Sequence, residues 1–161
     1  EDEIYKLTEE KEDIYRNMCL NDPEGMNFTQ GLPEFLTELK ERKIPFAIAT
    51  ASAIGNVRFY IKHMHLDHWV PVENIVYDDG TFLGKPEPDI YLLAMERIGL
   101  KPSQCVVFED ADAGIEAARR AGAGKIIAIG PKEEHKRLRL LPGVTGVIQD
   151  FRDISPDILK E

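Results

Sequence analysis

Three small groups of residues in this 161-residue chain could do chemistry together. Thr50 and Ser52 offer hydroxyls in Ala49-Thr50-Ala51-Ser52. Lys85 offers an ammonium in Gly84-Lys85-Pro86-Glu87-Pro88, and Glu109-Asp110 offers two adjacent carboxylates. Hydroxyls and an ammonium hold phosphate oxygens. A carboxylate pair suits a hard divalent cation such as Mg²⁺, which takes oxygen ligands and keeps several waters. Each group has a plainer reading as well. Thr50 could cap a turn, Lys85 could be solvated surface, and Glu109-Asp110 could favour the start of a helix. Their common placement in the fold gives the chemical reading its weight.

That placement follows from the hydrophobic pattern. Glu1 to about residue 20 reads as helix, with Ile4, Leu7, Ile14 and Met18 near helical spacing, and stops at the turn formers Asn21 to Gly25. A second helix follows Pro33 and carries Phe35, Leu36 and Leu39 on one face. Apolar runs of strand length then alternate with helical stretches. Strands are expected at Ile44–Ala49, Asn74–Tyr77, Gln104–Phe108, Lys125–Ile129 and Val144–Ile148. Helices are expected at Val57–Met64, Pro88–Ile98, Ala113–Ala121, closed by Gly122, and Glu133–Leu141. Strands apolar on both faces and alternating with helices predict an α/β fold, a Rossmann-like parallel sheet with flanking helices. In such a sheet ligands sit outside the carboxyl ends of the strands. Thr50 to Ser52 and Glu109-Asp110 fall just after strands, and Lys85 lies in a loop leading into a helix. Thr50, Lys85 and Asp110 are therefore expected to converge.

Composition narrows the partners. Twenty basic residues against 29 acidic ones give a formal charge of −9, which disfavours a nucleic-acid partner because phosphate backbones need a basic face. A small phosphorylated metabolite handled with a cation remains compatible. No apolar run approaches the roughly 20 residues of a membrane span, and no signal-peptide pattern opens the chain. Cys19 and Cys105 are far apart and lack ligand spacing, so a reducing, cytoplasmic compartment is expected.

The motifs together resemble the haloacid dehalogenase superfamily, in particular its β-phosphoglucomutase-like phosphatase branch. The resemblance rests on Phe46-Ala47-Ile48-Ala49-Thr50-Ala51-Ser52, on Gly84-Lys85-Pro86-Glu87-Pro88-Asp89, and on Val106-Val107-Phe108-Glu109-Asp110-Ala111-Asp112-Ala113-Gly114-Ile115, continued by Ala117 to Gly122. It implies a phosphatase acting on a small phosphorylated metabolite with Mg²⁺. Thr50 and Lys85 would be catalytic: Thr50 would hydrogen-bond the transferring phosphoryl group and Lys85 would neutralise it. Thr50, Ala51, Ser52 and Lys85 would bind phosphate. Glu109 and Asp110 would serve the metal, Asp110 as the more direct ligand.

The same resemblance exposes a gap. Members open with a strand ending in Asp-x-Asp-Gly-Thr, whose first Asp attacks phosphorus and whose second acts as acid and base. No such strand precedes Thr50. Residues 1–30 resemble the end of a helical cap and residues 31–161 the core lacking its first central strand, so an upstream segment or another chain is expected to complete the sheet. Tyr77-Asp78-Asp79-Gly80-Thr81 imitates the missing motif, but it puts a tyrosine at the nucleophile position and falls after Thr50. A tight turn is the better reading. His63 and His65, two apart, do not share a helix face, so packing rather than zinc is expected near His63, His65 and His68. The run Lys132 to Arg139 reads as an exposed helix face.

Ala53 and Ile54 follow Ser52, where mutases of this branch carry a basic and an amide residue that grip a second phosphate. This favours hydrolysis over mutase chemistry. Two other classes of protein are compatible with part of this pattern. A signalling receiver domain would place its acidic pair ahead of the Thr and Lys, the reverse of the order here. A non-catalytic relative that binds a ligand or partner would tolerate a missing nucleophile.

Overall fold

The computed structural model describes residues 2–22 and 26–159, with side chains from Glu9 onward. The expected turn at Pro23 to Gly25 and the side chains of Ile4 and Leu7 lie outside the described residues.

The chain begins with α1 (Asp2–Asn21) and α2 (Leu32–Glu41). Alternating elements follow: β1 (Ile48–Ala53), α3 (Ile54–Met64), β2 (Ile75–Asp78), α4 (Asp89–Arg97), β3 (Val106–Glu109), α5 (Asp112–Ala121), β4 (Lys125–Ile129), α6 (His135–Leu138) and β5 (Gly146–Ile148). All strand pairings are parallel. β1 pairs with β2, and β3, β4 and β5 form a second ladder in that order. Among the described residues β1 and β3 do not pair with each other, so each presents one open edge.

Successive residues on a strand face opposite sides, and both sides are covered. Ala49 of β1, Val76 of β2, Val107 of β3 and Ile126 and Ala128 of β4 join the largest apolar cluster, with Ile90, Tyr91, Ala94 and Met95 of α4 and Ile115, Ala117 and Ala118 of α5. This cluster spans the two ladders and holds them together. On the other side Phe35, Leu36 and Leu39 of α2 meet Phe108, Ile129 and Phe151. There Val57 of α3 also packs with Val70, Ile75 and Ile48. Two-sided burial explains why the strands read as short apolar runs and not as alternating ones.

The first strand begins and ends later than the apolar run suggests. Pro45 has no N–H for a ladder, and Phe46 is spent on packing between α2 and α3. Pairing starts only where β2 becomes available, at Ile48 opposite Ile75. Thr50 to Ser52 consequently lie on β1 itself. The helix expected at Glu133–Leu141 is divided into a 3₁₀ turn at Lys132–Glu134 and the four-residue α6. Its end unwinds through 3₁₀-type bonds from Leu140 N–H to Arg137 and from Leu141 N–H to Leu138, ahead of Pro142 and the left-handed Gly143 (φ 86°). The last strand starts at Gly146 because the Thr145 hydroxyl joins the ladder itself, accepting from the Ile126 N–H at 3.1 Å.

Candidate active site

The ladder between β1 and β2 is irregular where the candidate hydroxyls sit. Ala49 stands opposite Val76 and Ala53 opposite Asp78, so four steps along β1 match two along β2. A bulge of this kind bends the strand and re-aims its side chains. It lifts Thr50 to Ser52 out of regular pairing, and the Ser52 N–H donates to Thr50 Oγ1 at 3.1 Å. Thr50 and Ser52 are half-buried and Ala51 is exposed.

Lys85 and Glu109 meet directly. Lys85 lies in the segment that leaves the carboxyl end of β2, and Glu109 is the last residue of β3. Their ion pair shows that the carboxyl ends of the two ladders open on the same side of the molecule. Glu109 is 7% exposed and both of its oxygens are engaged. Oε1 accepts from Lys85 Nζ and, at 3.0 Å, from the Tyr91 hydroxyl. Oε2 accepts the N–H groups of Asp110 at 2.7 Å and Ala111 at 3.0 Å. Burial pushes the Glu109 carboxyl up, but the Lys85 ammonium and the Ala111 N–H outweigh it and leave the group below the usual carboxylate range. Asp110 is shifted the opposite way, raised by desolvation and by the neighbouring Glu109 charge. It is exposed at the rim and beside a groove of about 460 Å³ bounded by Thr29, Gly130, Arg137 and Gln149. The two carboxylates thus differ. Glu109 is committed to protein donors, and Asp110 faces outward.

The structure joins Lys85 to Glu109 and puts Asp110 beside them. Thr50, Ala51 and Ser52 lie on β1, in the other ladder from Glu109. Three contributions escaped sequence reasoning. Tyr91 holds Glu109 from a helix 18 residues upstream. Gly114 gives Glu109 room: a Cβ there would lie 1.8 Å from Oε1. Asn56, buried at the start of α3, accepts from Arg16 at 2.7 Å and donates to Glu12 at 2.6 Å, docking α1 beside the Ser52 segment. Gly114 and Asn56 were visible inside or beside motifs but carried no mark of their partners. Tyr91 had no signal beyond lying six residues after Lys85.

The imitation of the nucleophile motif proves to be a turn. The Gly80 N–H donates to Asp78 Oδ1 at 3.0 Å, and Asp79 Oδ1 accepts both the N–H and the hydroxyl of Thr81. Gly80 takes the left-handed conformation at φ 77°. His63 packs against Phe59 with the rings tilted by 42° and their centroids 4.7 Å apart, and His68 meets Trp69 edge-on at 5.3 Å.

The protein is of the α/β class, a doubly covered parallel sheet with a hydroxyl-bearing bulge, a lysine and an acidic pair at its carboxyl rim. A family model described as haloacid dehalogenase-like hydrolase matches residues 2–122, and the chain belongs to that family. A phosphorylated carbohydrates phosphatase from Thermotoga maritima is 32% identical over 97% of this chain and 67% of its own length. A fructose-1-phosphate phosphatase from Escherichia coli is 35% identical over 73% of this chain and 59% of its own. The chain therefore spans about two thirds or less of these curated relatives. A crystal structure of a HAD hydrolase, family IA, variant 3 from Entamoeba histolytica superposes with a TM-score of 0.91 at 36% identity, covering 100% of this chain and 73% of that one. No helix among the described residues is long and apolar enough to cross a membrane.

Proposed function

We propose that the protein is a Mg²⁺-dependent phosphatase that hydrolyses a small phosphorylated sugar or related metabolite in the cytoplasm. Attack would come from an Asp upstream of Glu1, giving an aspartyl-phosphate. Residues 1–30 would be the end of a cap over residues 31–161. The observation that carries this reading is the Lys85–Glu109 ion pair beside the outward-facing Asp110, at the carboxyl rim of a parallel sheet. The names of the curated relatives support the substrate class.

The residues suit a hydrated hard cation. Asp110 is exposed at the rim, and Glu109 lies next to it in a fixed orientation. Mg²⁺ commonly takes one or two protein carboxylates and completes its shell with water and phosphate. When bound it would offset the charge of the phosphoryl group against that of the attacking carboxylate. Glu109 Oε1 already serves Lys85 and Tyr91, so Asp110 is assigned the direct contact and Glu109 the holding of Lys85. Thr50 and Ser52 would donate hydroxyl hydrogen bonds to phosphoryl oxygens, and the bulge at Ala51 would bring a backbone N–H to the same group. Lys85 would act as a fixed positive charge. A charge that is already oriented needs no rearrangement as the transition state forms.

Hydrolysis is favoured over mutase chemistry. Ala53 and Ile54 are exposed and carry no charge for a second phosphate. The helix docked beside them brings Glu9, Glu12 and Asp13 around its single Arg16.

The test is an assay of the natural full-length protein with Mg²⁺ against a panel of sugar and polyol monophosphates. Release of inorganic phosphate, lost on chelation and in Lys85→Met and Asp110→Asn, is expected. No release from any substrate by a folded protein would favour the non-catalytic binding reading instead.

A further inference from the structure

Tyr91 is buried at 6% exposure and forms part of the core cluster with Ile90, Ala94 and Met95. Packing alone needs only its ring, which phenylalanine would fill as well. A buried hydroxyl adds desolvation cost unless it is given a partner. Here the partner is the most constrained carboxylate in the molecule. Tyr91 Oη donates to Glu109 Oε1 at 3.0 Å, the oxygen that also holds Lys85. The face of the same ring lies 5.0 Å from Lys85 Nζ, within range of a cation–π attraction. One side chain thus touches both members of the ion pair, the carboxylate through its hydroxyl and the ammonium through its ring.

We propose that Tyr91 is a positioning residue that fixes Glu109 and, through it, aims Lys85 at the phosphoryl group; the proposal rests on the phosphatase reading for its catalytic half. Glu109 is confined from several directions. Two backbone N–H groups hold Oε2, Gly114 stands against Oε1 with no room for a Cβ, and the Tyr91 hydroxyl closes the remaining approach. Lys85 is a flexible side chain with four rotatable carbons. Its ammonium has one ion-pair partner among the described residues, Glu109. Any swing of the carboxylate is therefore transmitted to the ammonium. Removing the hydroxyl leaves Oε1 short of a donor in a place water reaches poorly, and the freed oxygen can pull Lys85 inward, away from the rim. Small displacements of a charge aimed at a transition state cost rate more than binding.

The experiment compares Tyr91→Phe with Ile90→Val in the natural full-length protein. Ile90, 2% exposed, lies on the same helix and belongs to the same cluster, and its side chain has no polar group to offer Glu109 or Lys85. Two readouts are used. In the first, Tyr91→Phe is expected to lower kcat about tenfold while KM for a sugar monophosphate stays within about twofold. Ile90→Val is expected to lower thermal stability without the kcat loss. The second readout needs neither metal nor turnover: reductive methylation of lysines, followed by mass spectrometry. In Tyr91→Phe the labelling rate of Lys85 is expected to change several-fold relative to Lys101 and Lys132, and in Ile90→Val to match wild type. Wild-type kcat together with wild-type Lys85 labelling in Tyr91→Phe would overturn the proposal. So would equal losses of kcat in both variants that track melting temperature, since that marks a purely structural role. If the wild-type protein releases no phosphate from any ester, the phosphatase reading fails, and Lys85 labelling still decides whether Tyr91 holds the pair.

Discussion

Glu109 shows how one buried charge organises the rim. A carboxylate moved out of water is costly unless its lone pairs are satisfied, and four donors satisfy Glu109 here. The result is a fixed anion that holds a fixed cation. No buried side-chain nitrogen or oxygen lacks a partner among the described residues, so nothing in the interior competes for those donors. The weak point is steric. Gly114 passes so close that a methyl group would overlap the Glu109 carboxylate, its Cδ included, at 2.1 Å. The backbone there is helical, so the glycine is required for space and not for a special φ. Gly114→Ala is expected to displace Glu109 and to destabilise the fold by about 1–3 kcal/mol, the usual range for overpacking a close-packed site. Urea denaturation of the metal-free protein measures it. A gain in stability, as expected for Gly→Ala in an unobstructed helix, would show that Glu109 is free to move aside.

At the scale of elements, α1 meets the core through polar groups. Its apolar residues Ile14 and Met18 are 62% and 66% exposed, so they do not anchor it. Arg16 and Glu12 instead clasp Asn56, which is 5% exposed at the start of α3. Gly55 leaves space for the Arg16 guanidinium, since a Cβ there would stand 3.0 Å from Nη1. Asn56→Leu keeps the volume and removes both hydrogen bonds. It is expected to release α1 at a cost of about 0.5–1.5 kcal/mol for each hydrogen bond lost, since Arg16 keeps Glu9 and Asp13 and Glu12 keeps Lys11. The check is hydrogen exchange, with faster exchange in residues 9–21 and little change in β4. Uniform loss of protection across the molecule would instead mean that Asn56 supports the core.

These contacts also mark the limit of what could be read beforehand. The order of strands and helices, the parallel sheet and the residues at the strand ends were legible, because each depends on a local run of side chains. The Gly122 helix stop was legible too, and it adopts the left-handed conformation at φ 80°. The start of β1 was not, because it is set by where Ile75 lies. Neither were the Tyr91–Glu109 and Arg16–Asn56 contacts, which join positions 18 and 40 residues apart. Periodicity carries no information about such pairs.

Considered whole, the described strands form two ladders with no strand pairing between them. Among the described residues β1 pairs only with β2, β3 pairs only with β4, and the two ladders are bridged by the helical layer of α4 and α5 and not by backbone hydrogen bonds. The unpaired edges of β1 and β3 carry N–H and C=O groups in the strand conformation without a described strand opposite. Leaving such groups buried and unpaired costs about 1–3 kcal/mol each, against a domain stability of about 5–15 kcal/mol. A few losses of that size remove the margin, and edges that reach solvent recruit other chains. Residues 1–161 expressed alone are therefore expected to associate or to melt without cooperativity. They are also expected to release no phosphate from a sugar monophosphate with Mg²⁺. Adding at the amino end a segment that carries an Asp-x-Asp-Gly-Thr strand is expected to give a monomer with a sharp transition and to restore activity. Changing the first Asp of the added segment to Asn should abolish activity without loosening the fold. Size-exclusion chromatography with light scattering, calorimetry and a phosphate-release assay on the three proteins separate the outcomes. A stable, cooperative monomer from residues 1–161 alone would show that the helical layer suffices to hold the two ladders, and that β1 and β3 need no further strand beside them.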